Sequence, residues 1–179
     1  MALSATPYKV ELNLTDLDRG IYESLRFTMA RHPSETEERL AARLLALALW
    51  YDEALVFGRG LSTVDEAALW QKSLDDRVLH WIEVGQPDGD RLVWCSRRAE
   101  RVSLLVYGDR RMWESKVFPS LNTLDNLNVV ALPPQELSEL SQELPRSINW
   151  AVMISEDSLF VTDEEGQHEL KLTWLKRDH

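Results

Sequence analysis

Trp81-Ile82-Glu83-Val84-Gly85-Gln86-Pro87-Asp88, WIEVGQPD, is the stretch on which the reading of this chain turns. Residues 78–84 form an apolar run of strand length that stops at Gly85 and Pro87. A carboxylate, Glu83, stands inside that run. Ionised glutamate in an apolar strand is costly unless it is paired, hydrogen-bonded or metal-bound. Just upstream, Asp75-Asp76 can serve as a two-residue turn that folds the strand Ala67–Lys72 back onto Val78–Val84. In that register Trp70 faces Trp81, Ala68 faces Glu83 and Glu66 faces Gly85, all on one side of the hairpin. Glu66 then lies diagonally beside Glu83, and Asp88 follows in a turn that can fold back. Paired carboxylates repel unless a proton or a cation sits between them. Mg²⁺ or Mn²⁺ suits carboxylate oxygens, which makes Glu66, Glu83 and Asp88 the candidate metal ligands. Glu83 equally suits an ion pair with an arginine of the following segment, or plain solvent exposure.

Outward from this hairpin the chain reads as mixed α and β. On the C-terminal side come a helix from about Arg91 to Arg101, a buried strand Val102–Tyr107, a helix from Arg110 to about Leu121, and a second buried strand Leu127–Leu132. Pro133-Pro134 opens an amphipathic helix to Leu144. Three short strands, Trp150–Ile154, Ser158–Thr162 and His168–Trp174, suit an antiparallel appendage. On the N-terminal side, Tyr8–Leu14 alternates with period two, and Gly20–Met29 returns as its hairpin partner across Asp16–Arg19. Ser34 as N-cap and Glu37 as its capping-box partner start a long helix to about Tyr51. Its only polar flank is Arg39 and Arg43, so protein surrounds most of it. The expected architecture is α/β (α+β mixed): a mixed central sheet flanked by helices, with an added N-terminal hairpin and C-terminal antiparallel strands. No linker or repeat divides the 179 residues, so residues 1–179 are read as a single domain.

Composition narrows the function. Thirty acidic residues against twenty basic give a net charge of -10, which argues against broad electrostatic coating of nucleic acid. The arginines are nonetheless concentrated: six lie between Arg91 and Arg111, against only Glu100 and Asp109. Guanidinium forks suit phosphate, although a solvated helix face has the same composition. A single cysteine, Cys95, excludes disulfides and multi-cysteine metal sites, and it reads as a small buried hydrophobe. His32, His80, His168 and His179 lack zinc-ligand spacing. Gly58-Arg59-Gly60 is too short for a phosphate loop, so no zinc and no nucleotide cofactor is expected. The longest apolar run, Leu44–Tyr51, falls far short of the roughly 20 residues that span a bilayer. With no secretory signal pattern at the start, a cytoplasmic, non-membrane protein is expected.

His32-Pro33-Ser34-Glu35-Thr36-Glu37-Glu38-Arg39, the turn Phe57-Gly58-Arg59-Gly60-Leu61, the WIEVGQPD segment and the ending Leu170–Trp174 together closely resemble the bacterial YaeQ family, along the whole chain. The resemblance implies a fold similar to the PD-(D/E)XK nuclease core. That core surrounds Mg²⁺ with a helix glutamate, an acid near the start of the second core strand, and a D/E-x-K on the third. Carried over, Glu83 takes the acidic position of D/E-x-K and Glu66, beside Asp65, the first acidic position. Glu37, or Glu38, takes the helix position; Glu37 lies opposite the Arg39–Arg43 flank and is expected to point inward. The lysine position is Gly85. Gln86 could replace it only through a bulge, and Lys72 lies about 13 Å away along the strand. Arg91, Arg97 or Arg98 could supply positive charge, though arginine is a poor base. The implied function is a Mg²⁺-dependent phosphodiester hydrolase, with Glu66, Glu83, Gln86, Glu37 and Arg91 as catalytic candidates and Arg97, Arg98 and Lys72 as substrate contacts. The alternative is a nuclease-like scaffold that has lost its chemistry and binds nucleic acid at a local site or a protein partner.

Overall fold

The computed structural model describes residues 4–59 and 63–177; Gly60 and Leu61 of the Phe57–Leu61 turn, and His179, lie outside them. Among the described residues eleven strands form two sheets. β1 (Thr6–Asp16) and β2 (Ile21–Arg31) are the expected hairpin, paired from Thr6↔Arg31 to Asp16↔Ile21. Next come α1 (Glu37–Leu49), β3 (Leu55–Phe57), β4 (Leu69–Lys72), β5 (Val78–Val84), α2 (Gly89–Ser96) and β6 (Ala99–Val106). α3 (Arg111–Lys116), β7 (Leu127–Ala131), α4 (Pro134–Ser141), β8 (Ser147–Ser155), β9 (Ser158–Asp163), β10 (Gly166–Lys171) and β11 (Thr173–Lys176) complete the chain.

One sheet has the order β10-β9-β8-β1-β2, the other β11-β7-β6-β5-β4-β3. In the second, β3, β4 and β5 form an antiparallel meander, while β5, β6 and β7 run parallel through helical crossovers. This is the expected mixed sheet flanked by helices. Its β7 is buried throughout and β6 from Val102 onward, as parallel strands covered on both faces should be.

The inward face of the first sheet (Tyr8, Val10, Leu12, Leu14), one face of the second (Leu69, Ile82, Val84, Leu105) and the eight apolar residues of α1 between Leu40 and Ala48 share one core. Even Arg43 of that helix is buried. A smaller core lies on the opposite face of the second sheet, where Trp81, Val102 and Leu104 meet Leu92 and Cys95 of α2. The site described below opens on this second face.

Several expectations are corrected. Thr36, not Ser34, caps α1: its side chain accepts the Arg39 N–H at 3.1 Å, and Glu37 is the first helical residue. α2 stops at Ser96 rather than Arg101, because β6 must start at Ala99 to pair with Val78. The helix expected from Arg110 to Leu121 breaks after Lys116 into a 3-10 turn, Phe118–Thr123, at Pro119, which has no N–H for a continuing α-helix. The C-terminal strands are not an appendage. β8 runs parallel to β1, from Lys9↔Ser147 to Asp16↔Ile154, and makes β1 a central strand. The strand expected over His168–Trp174 divides at Leu172, with β10 in one sheet and β11 in the other.

Candidate functional site

The hairpin register follows the sequence. Trp70 pairs with Trp81 and Leu69 with Ile82, and the two indoles meet edge to face at 5.4 Å. A register shift at Gln71/Lys72 widens the connection to Ser73–Arg77, with Asp76 in the left-handed region at φ 67°. The ladder stops at Leu69, so Glu66 is not a strand residue opposite Gly85. It lies in a turn closed by its own N–H to the Thr63 carbonyl, 3.3 Å. That turn is pressed against the end of β3. A Cβ on Gly58 would stand 1.9 Å from the Ala67 carbonyl oxygen, so only glycine allows the approach.

Glu66 and Glu83 bind different arginines. The Glu66 carboxylate turns towards the β3 end, where it accepts the Arg59 backbone N–H at 3.1 Å and lies 3.5 Å from the Arg59 guanidinium. Glu83 projects on the Trp81 side of β5, accepting the Trp81 indole N–H at 2.6 Å and Arg91 Nη2 at 3.2 Å. Arg91 is the residue that joins the parts. It also donates to the Val64 and Glu66 carbonyls, the latter at 3.3 Å. Its guanidinium lies over the rings of Trp81 (5.5 Å) and Trp94 (4.9 Å). Three acceptors and two aromatic faces thus hold one cation against a largely buried carboxylate.

The other candidates have separate employments. Asp88 caps α2, accepting the Arg91 N–H at 2.8 Å. Gln86 follows Gly85, whose φ of 118° redirects the chain, and its amide donates to the Tyr107 and Asp109 carbonyls at 2.8 and 3.1 Å. Glu37 reaches away from the hairpin to accept the Leu144 N–H at 2.9 Å beyond α4, with Arg31 at 3.8 Å. Lys72 lies over Trp70 at 4.0 Å and Arg98 over Trp94 at 3.7 Å. Arg97 is the exposed C-cap of α2. Arg91, Glu83 and the backbone of Glu66 are therefore brought together, whereas Glu37 is not. Among the described residues no group of three or more His, Cys, Asp or Glu side chains could hold a metal ion.

Glu35 was not among the candidates. It is buried just before α1, accepting Arg43 Nε and Nη2 at 2.8 and 2.7 Å and pairing also with Arg39. The signal was present as Glu35, Arg39 and Arg43 at intervals of four. Beside it, burial raises the Tyr107 phenol above its ordinary pKa, against the opposing influence of Arg39 and a hydrogen bond with Thr36. Cys95 is buried within α2, and desolvation pushes its thiol up to about 12, out of nucleophilic range.

The comparisons with known proteins agree along the length of the chain. Residues 1–172 match the model of the YaeQ protein family. YaeQ of Salmonella typhi is 36% identical over 175 residues and that of Escherichia coli strain K12 35% identical, each with 97% of both chains covered. The crystal structure of YaeQ from Pseudomonas syringae superposes with a TM-score of 0.95 at 65% identity, covering 97% of each chain. YaeQ from Xanthomonas axonopodis pv. citri gives 0.92 at 34% identity, over 97% of this chain and 99% of that one. Helices long and apolar enough to cross a membrane are absent among the described residues. With sequence, family model and solved structures in agreement, the chain belongs to the YaeQ family.

Proposed function

We propose that this protein is a nuclease-like scaffold without hydrolytic chemistry, serving as a binding module for a macromolecular partner. The seating of Arg91 carries the reading. A carboxylate at the acidic position of a nuclease motif needs a cation, and here a side chain of the same chain supplies it, over Trp81 and Trp94. The resemblance to a nuclease core is supported by element order: a helix, then three antiparallel strands, with Glu66 just before the second and Glu83 on the third. The metal chemistry of that core does not fit these residues as they stand. Glu66 and Glu83 face different arginines, Asp88 is a helix cap, and Gly85 replaces the lysine. The competing reading, a Mg²⁺-dependent phosphodiester hydrolase, requires both carboxylates to exchange arginine for metal. Incubation of the protein with single- and double-stranded DNA and RNA, in Mg²⁺ or Mn²⁺, decides between them. No cleavage is expected; cleavage abolished by Glu83→Ala would establish the hydrolase.

A further inference from the structure

The Arg91 site is the middle of a longer arrangement. From β4 to the end of α2, three indoles run between two cations: Lys72 lies over Trp70, Trp70 meets Trp81 edge to face, Trp81 meets Trp94 at 5.5 Å, and Arg98 lies over Trp94. Trp81 is buried, but Trp70 and Trp94 are only half-buried, and Lys72, Arg97 and Arg98 are exposed. The geometry points to single-stranded nucleic acid as the ligand of this strip, with bases stacking and phosphates meeting the three outer cations. This deepens the binding-module reading and rests on it.

Charge is the first support. In a protein of net charge -10, many arginines elsewhere are matched to acids: Arg19 to Asp16, Arg26 to Glu11, Arg77 to Asp75 and Glu100, Arg111 to Asp109, Arg177 to Asp157. Among the described residues Arg97 and Arg98 have no acidic partner. The Arg98 contacts are the Trp94 ring and, through Nη1, the Trp94 carbonyl at 3.0 Å. Lys72 is paired only with exposed Asp76 at 3.5 Å, a contact that opens at little cost. Lys72, Arg97 and Arg98 therefore remain available to an anionic ligand.

Planarity is the second support, and it favours nucleic acid over an acidic peptide. Carboxylates need only cations, and the indoles beneath Lys72 and Arg98 add nothing specific to them. A guanidinium held 3.7 Å above an indole presents its outer face to another planar group, and a nucleobase continues that stack. Base–aromatic stacking contributes about 1–3 kcal/mol per base and tolerates any sequence. Duplex DNA hides its base faces, so the single strand is the form the strip fits.

The test is fluorescence anisotropy of a labelled thymidine oligonucleotide of about 12 nucleotides, titrated in EDTA at several salt concentrations. Three phosphate contacts give an expected log–log salt slope of about -2, from roughly 0.7 per contact on a single strand. The double variant Arg97→Ala/Arg98→Ala should lower affinity more than tenfold and flatten the slope by about 1.4. Arg26→Ala and Arg111→Ala, at exposed arginines outside the strip, should leave both unchanged. Absence of binding at low salt, equal loss in the control variants, preference for duplex, or equal competition by a polyglutamate peptide would each overturn the proposal. EDTA keeps this outcome separate from the question of hydrolysis. Binding here followed by cleavage on adding Mn²⁺ would remove the non-catalytic reading and leave the strip standing.

Discussion

Arg91 donates to Glu83 at 3.2 Å while its guanidinium lies over the rings of Trp81 and Trp94. The charge that a buried carboxylate requires is thus covalently part of the chain. Where a nuclease recruits a metal from solution, this site is satisfied when the polypeptide folds.

Arg91→Ala leaves Glu83 with only the Trp81 indole N–H. Breaking a buried pair from one side costs about 3–5 kcal/mol; the side chains here retain 24% and 14% exposure, which lowers the expectation to about 2–3 kcal/mol. Glu83→Gln in the Arg91→Ala background should recover about 1 kcal/mol, since a neutral amide needs no cation. Urea unfolding of the four-member cycle measures the coupling; additive effects would mean that the two side chains are independent.

Glu35 and Arg43 predict a larger effect. Both are almost fully buried, so Glu35→Ala strands an arginine inside the fold at a cost of about 3–5 kcal/mol. Replacing both, as Glu35→Leu/Arg43→Met, removes the stranded charge and should recover most of that loss. Thermal or urea midpoints compare them; a double variant no more stable than Glu35→Ala would show that packing, not charge, holds α1 in place.

His80 makes stability depend on pH. Burial, with a smaller contribution from nearby Arg101, lowers its pKa to about 3; Ser103 Oγ lies 2.7 Å from Nε2, and the Trp50 ring packs at 6.1 Å. Between pH 3 and its ordinary value of 6.5 the unfolded chain binds a proton that the folded chain excludes. Stability therefore falls as pH drops through that window, by up to about 1.4 kcal/mol per unit from this group. His80→Asn should be less sloped there than wild type in urea midpoints taken at successive pH values; an identical slope would remove His80 as the cause.

Cys95 should be silent in the native state. The thiol is fully buried with its pKa near 12, so Ellman's reagent should react at the rate of unfolding and stoichiometrically in denaturant. Rapid native labelling would require α2 to open locally.

The sequence made the hairpin legible because Trp70 and Trp81 form one cross-strand pair, and a local turn sets the register. α1 was legible because apolar residues cover nearly its whole circumference. Parallel pairing of β8 with β1 was not, since nothing in either strand's alternation names so distant a partner. At the site, the sequence supplied Glu83 and a set of nearby arginines. The choice of Arg91 depends on Asp88 starting α2 so that its first turn meets Trp81 and the Val64 carbonyl. The Ser34–Glu37 capping box was misread because the cap lies at Thr36, and the Glu37 carboxylate instead accepts the Leu144 N–H beyond α4.

A calorimetric titration of wild-type protein with Mn²⁺ at neutral pH tests most directly whether Arg91 stands in for a metal. The arrangement of Glu83, Arg91, Trp81 and Trp94 predicts no saturable binding. Saturable binding that disappears in Glu83→Ala would contradict it and return the carboxylates to a metal.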